Sequence, residues 1–166
     1  MRRARAQGVF TVGPVGNGHV SIGPRPMAEG LDDWCDALRM AGVHHVVSLI
    51  EDSEVARYGL ADEDAVLAEN GIGFERFPVD DFDIPDAGAF QNLITALSEK
   101  LASGKHVFLH CAGGVGRAGT TASCLLIAHG WQADQAMKDV SAARGEKCPE
   151  TIEQVAFIRR FNPLQP

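Results

Sequence analysis

The sequence predicts a single α/β domain in which a mostly parallel central sheet is flanked by helices. Three observations carry this expectation. Strand-like and helix-like segments alternate along the chain, as crossover connections between parallel strands require. Val43–Ile50 is rich in β-branched and apolar residues, the composition of a strand buried on both faces. Gly or Pro punctuates nearly every junction, and no repeat, low-complexity tract or linker divides the 166 residues. A chain of this length buries about 68–70% of the surface its unfolded form exposes, so a core forms without disulfides or a structural metal. The expected limits are a flexible basic leader over 1–7 and one folded domain over 8–162.

Val9–Val12 and His19–Ile22 flank Gly13–Gly18, a turn-rich loop containing Asn-Gly, and read as a hairpin. Gly23-Pro24-Arg25-Pro26 breaks the second strand. Leu31, Trp34, Leu38 and Ala41 recur at helical spacing before Gly42. After strand Val43–Ile50 come a loop and a helix over Ala61–Asn70, then strand Phe74–Val79. An acidic loop, Asp80–Asp86, leads to a helix marked by Phe90, Leu93, Ile94, Leu97 and Leu101. His106–His110 is a short strand and Cys111–Gly116 a glycine-rich loop, followed by a helix over Thr120–His129. Asp134 is expected to cap a helix to Arg144, and Pro149 to sit in the first turn of a last helix to Phe161.

Net charge is −7, which disfavours attraction to nucleic acid or an anionic membrane and requires a local positive site for any anionic substrate. No apolar run reaches the roughly 18 residues of a membrane helix, and no apolar stretch follows the basic N-terminus as in a secretory signal. The expected compartment is cytoplasmic. Cys35, Cys111, Cys124 and Cys148 show neither C-x-x-C nor metal-finger spacing. Three of them read as small apolar residues; the exception is Cys111. His44-His45 have no nearby ligand partners, so no metal is expected, and no organic cofactor either.

In His110-Cys111-Ala112-Gly113-Gly114-Val115-Gly116-Arg117 a cysteine closes a strand, small residues follow, and a helix begins beyond an arginine. Glycines let successive N–H groups turn inward as an anion nest, and the helix N-terminus adds positive potential. The same field favours thiolate over thiol. Arg117 has the planar fork that binds two oxygens of a tetrahedral anion. The residues Ala112, Gly113, Gly114, Val115, Gly116 and Arg117 thus form a phosphate-sized cup around a nucleophile.

This segment resembles the signature H-C-x-x-x-x-x-R-[S/T]-G of the cysteine-dependent protein tyrosine phosphatases. The resemblance covers roughly residues 8–162. Pro78–Pro85 is similar to the P-[VI]-x-D-x-x-x-P acid loop of the compact dual-specificity branch, and Pro149–Ile158 to its I-E-T-x-x-Q-x-x-F-[VI] helix. Small single-domain enzymes of the kinase-associated phosphatase group are the likeness. It implies a phosphatase for phosphotyrosine, with phosphoserine and phosphothreonine open, acting on a phosphorylated protein or peptide through a cysteinyl-phosphate. It further implies Cys111 as nucleophile, Arg117 as phosphate clamp, His110 as a loop-holding residue that keeps the thiolate charged, and Asp81 as general acid and then base. Asp80, Asp83 and Asp86 crowd the same loop; the spacing between the prolines selects Asp81, with Asp80 next. Gln154 matches a position that helps place the hydrolytic water, and reads equally as an exposed helix residue. A bell-shaped pH profile with an acidic optimum follows from these roles.

The chain departs from the pattern at Ala118, where a Ser or Thr normally eases the departure of sulfur. Slower phosphoenzyme hydrolysis is expected, unless Thr120 or Thr121 substitutes, and a phospho-binding module with poor turnover is the alternative. A phosphoinositide phosphatase is another, weakened by the lack of Lys or Arg within Ala112–Gly116. Gly114–Gly119 also satisfies G-x-G-x-x-G, but the residues beyond it read as helices rather than the further strands of a dinucleotide fold. A rhodanese-type transferase leaves Asp81 and the Gln154 helix unexplained. Oligomeric state is not legible in the sequence.

Overall fold

The computed structural model describes residues 7–163, so six of the seven residues of the basic leader lie outside the described residues. Five strands form one sheet in the order β1-β2-β5-β3-β4. They are β1 (Phe10–Val15), β2 (Gly18–Pro24), β3 (His45–Ser48), β4 (Gly73–Arg76) and β5 (His106–Cys111). β1 and β2 make an antiparallel hairpin; β2, β5, β3 and β4 run parallel. The helices are α1 (Leu31–Met40), α2 (Asp52–Tyr58), α3 (Glu63–Glu69), α4 (Ala87–Ala102), α5 (Gly116–Ala128), α6 (Ala133–Arg144) and α7 (Ile152–Arg160). Helices cover both faces, as the alternation of segments predicts.

Strand β5 lies between β2 and β3 and is buried throughout. Side chains alternate across a strand, so Val107, Leu109 and Cys111 enter the core beneath α4–α7. Phe108 enters the opposite core with Trp34 and Leu38 of α1 and Leu67 of α3. That alternation sends Cys111 and its neighbour His110 to opposite faces at the C-terminal edge of the sheet.

Four sequence expectations are corrected. Helix α2 occupies a stretch expected to be loop: its apolar residues, Val55 and Tyr58, are too few for a periodic stripe, and a capping box between Glu51 and Glu54 starts it instead. Helix α5 begins at Gly116 rather than Thr120, which puts Arg117 in the first turn. Asp134 does not cap α6; Gln132 holds the cap position, and Asp134 pairs with Arg159 at 3.0 Å. Pro149 precedes α7, whose cap is Thr151 in a reciprocal box with Gln154. Among the described residues no strand follows α5, so the further strands of a dinucleotide fold are missing.

The far end of β5 carries a pH liability. His106 is buried, with Nε2 2.7 Å from Ser21 Oγ and Nδ1 3.1 Å from the Ala41 carbonyl. Burial, reinforced by His19, lowers its pKa from 6.5 to about 4. The unfolded chain therefore takes up this proton first, and stability falls as pH drops through that window, by on the order of 3 kcal/mol. Urea unfolding at pH 7 and pH 4 should show this loss in the wild type and a smaller one in His106→Gln. Equal losses in both would assign the acid sensitivity elsewhere.

Candidate active site

The residues Ala112–Val115 connect β5 to α5 as a cup whose carbonyls are tied outward. Arg25 N–H donates to the Ala112 carbonyl at 3.2 Å. Arg144 donates to those of Gly113 and Gly114 at 3.0 and 3.1 Å. His110 Nδ1 is 3.2 Å from that of Cys111. In a planar trans peptide the N–H points opposite the carbonyl, so the next four N–H groups turn inward. One of them, from Gly114, donates to Cys111 Sγ at 3.3 Å. Gly114 has φ +71°, and a Cβ there would overlap the Gly23–Pro24 backbone, so only glycine fits.

Arg117 is 3% exposed and its donors are almost fully assigned. Nη1 donates to Glu54 Oε2 at 2.7 Å and to the Val79 carbonyl at 2.9 Å. Nη2 donates to Glu54 Oε1 at 2.9 Å and lies 3.1 Å from Asp81 Oδ1. Nε is buried and has no partner. Burial opposes the charge on both Glu54 and Arg117, but their mutual hydrogen bonds, together with the Glu51 N–H at Glu54 and the surrounding opposite charges, outweigh it. The Glu54 carboxyl is held below its ordinary range and the Arg117 guanidinium above its own. Of the four acidic-loop aspartates, Asp81 is the one on Arg117. Asp83 binds the Ile84 N–H and Asp86 caps α4 at Ala89, while Asp80 is exposed.

The geometry of a thiol in an anion nest beneath a buried guanidinium coincides with a family match. Residues 20–163 match the model of the PTP-SAK family, described as Swiss Army Knife protein, DSP-PTPase phosphatase domain. The chain belongs to this family. It is 25% identical over 128 residues to the rat cyclin-dependent kinase inhibitor 3, a match covering 76% of this chain. The chain spans about 60% of the length of that relative. Among solved structures, a kinase-associated phosphatase with its catalytic-site cysteine changed to serine superposes with TM-score 0.80 at 18% identity, over 90% of each chain. PTPMT1 in complex with PI(5)P superposes with TM-score 0.71 at 18% identity, over 86% of this chain and 88% of that one.

Within this PTP-SAK domain the remaining expected residues fall as follows. Gln154 is not exposed: it is fully buried. Its Oε1 accepts from the N–H groups of Glu150 and Thr151, and its Nε2 donates to the Asp83 carbonyl at 3.2 Å. It therefore ties α7 to the acid loop. Thr120 and Thr121 donate to the carbonyls of Gly116 and Arg117 at 2.8 and 2.9 Å, so neither hydroxyl replaces the one missing at Ala118. Cys35, Cys124 and Cys148 are buried, and burial raises each thiol, Cys148 to about 12. Glu150 lies at the mouth, its carboxyl raised by burial and then by the charge of Asp81.

Sequence reasoning missed Glu54, Glu63, whose Oε1 lies 2.7 Å from His110 Nε2, and Arg144. The first two sit in a polar stretch where a buried carboxylate looks like a solvated one. The available signal was the spacing of Glu51 and Glu54, which marks a helix start.

Proposed function

We propose that this domain removes phosphate from protein phosphomonoesters, phosphotyrosine foremost, by double displacement at Cys111. The observation that carries this reading is the partner set of Arg117. Two of its nitrogens can still serve a substrate: Nε, which is unpaired, and Nη2, whose second N–H faces Asp81 only as an ion pair at 3.1 Å. An incoming phosphate takes both and displaces the Asp81 carboxylate, whose side chain is 46% exposed and keeps the Phe82 N–H as a local partner at 3.0 Å. The displaced Asp81 carboxylate takes up a proton from solvent; Cys111 Sγ then forms a bond to phosphorus while the ester P–O bond breaks, and Asp81 passes the proton to the leaving oxygen. Water attacks the phosphocysteine and gives a proton to Asp81 as the S–P bond breaks and sulfur departs as thiolate. His110 holds the loop, and Gln154 holds the acid loop in reach. A cytoplasmic protein substrate fits the reading. A polyphosphorylated inositol headgroup fits less well, because Asp81 and the Glu150 carboxyl stand at the mouth.

Sulfur departs without a hydroxyl at Ala118, which favours phosphoenzyme hydrolysis as the slow step. Rapid-quench assays with p-nitrophenyl phosphate near pH 6 should give a stoichiometric burst followed by slow turnover. Ala118→Ser should speed the slow phase. Asp81→Asn should slow the burst on a phosphotyrosine peptide by roughly 10²–10⁴-fold. Full turnover in Asp81→Asn would assign the acid to another residue. No product, with phosphopeptide still bound, would establish a binding module instead.

A further inference from the structure

Two buried carboxylates reach the loop from the segment between β3 and β4. Glu54 holds Arg117. The other, Glu63 at the start of α3, is 2% exposed, and its Oε1 lies 2.7 Å from His110 Nε2. His110 is fully buried. The ring of Trp34 meets it edge-on at 6.0 Å and Phe108 flanks it, so no solvent serves its nitrogens. Its Nδ1 faces the Cys111 carbonyl. A carbonyl only accepts, so Nδ1 carries a proton. A carboxylate only accepts as well, so the short contact at Nε2 requires a second proton between the two atoms.

We propose that Glu63 is a positioning residue for the reaction: it holds His110 as an imidazolium that orients the Cys111 carbonyl and favours the Cys111 thiolate. The inference rests on Cys111 being the nucleophile. Its physical content is a buried dipole. The positive end hydrogen-bonds the nucleophile's own backbone, and the negative end is turned away toward α3. Fixing the Cys111 carbonyl also fixes the Ala112 N–H on the inner side of the cup. A carboxylate that sets the proton and the orientation of a histidine serves the same purpose in hydrolase triads. Here the histidine acts on the loop rather than on the substrate.

The other charged or titratable groups around the loop are Arg117 with Glu54 and Asp81, Arg144 with Glu146, and Cys148 and Glu150. Asp64, Glu75 and Arg76 line one pocket together with Glu63. Among the described residues none of these groups is hydrogen-bonded or ion-paired with the Glu63 side chain, so a Glu63 variant leaves their pairings in place. Iodoacetamide alkylation of Cys111, located by mass spectrometry and protected by inorganic phosphate, reports thiolate without needing turnover. Glu63→Gln keeps the shape and can donate to Nε2, but it cannot hold the imidazolium. Its alkylation at pH 6 should slow several-fold, and its alkylation-versus-pH curve should move to higher pH. A curve superimposed on that of the wild type, in a variant folded by circular dichroism, would reduce Glu63 to a packing residue and overturn the inference. Should Glu63→Gln not fold, ¹⁵N spectra of the wild type decide: two protonated ring nitrogens on His110 support the inference and a neutral tautomer ends it. Failure of the nucleophile assignment itself would appear in the wild type, as a Cys111 that is not alkylated without phosphate or whose alkylation inorganic phosphate does not slow, and would end both readings.

Discussion

Cys111→Ser should abolish turnover, by roughly 10⁶-fold on the scale of removing an enzyme's nucleophile, while phosphopeptide binding survives. The two effects separate because they reside in different atoms. Bond formation to phosphorus needs the ionised sulfur. Binding needs the inward N–H groups and Arg117, and none of those donors passes through the side chain of residue 111. The loop carbonyls stay tied to Arg25, Arg144 and His110 in the variant, so the cup keeps its shape. The nearby thiol of Cys148 is no substitute, because burial raises it to about 12. Equilibrium binding of a phosphotyrosine peptide beside single-turnover kinetics checks this. Retention of even one percent of the wild-type rate would place the nucleophile elsewhere.

Glu54→Ala should cost both fold and function. It leaves Arg117 as a buried cation whose remaining ion-pair partner is the half-exposed Asp81; breaking a buried pair typically costs about 3–5 kcal/mol. It also releases the guanidinium from the orientation that presents Nε and Nη2 to a phosphate, so kcat/KM should fall even where the variant remains folded. Glu54→Gln keeps the volume and one hydrogen bond, and should lie between. The pH dependence has a definite sign. The Glu54 carboxyl titrates below its ordinary 4.5 in the folded protein. Its stabilisation is fully present above that value and is lost as pH falls through the lower folded one. The wild-type advantage over Glu54→Gln in chemical unfolding should therefore be complete at pH 7 and shrink below about pH 4.5. An advantage that persists unchanged at pH 3 would contradict the ion pair.

Much of this was legible because its causes are local. The hairpin, the β-branched strand and the amphipathic helices follow from periodicities of two and 3.6 residues and from glycine stops. Their ends moved where local signals competed. The expected strand to Val79 stops at Arg76, yet Phe77 and Val79 still donate to the carbonyls of Ser48 and Leu49 at 2.9 and 3.0 Å. That continuation places the Val79 carbonyl on Arg117. Gln154 shows the limit of pattern matching. Its place in the motif was readable, but its burial was not, because burial depends on the acid loop folding back from 71 residues away.

By itself, the sequence determined the α/β class and the chemistry of the cup, since an anion nest is made by consecutive peptide groups and needs only a strand, small residues and a helix start within a few positions. Only the tertiary structure decided how that cup is charged and held. Glu54 and Glu63 meet Arg117 and His110 across 63 and 47 residues of sequence, and Asp81 is distinguished from its neighbours by resting on Arg117. A carboxylate carries no mark in the chain that tells whether it will be solvated or buried against a cation; that is settled when the sheet brings its strands side by side.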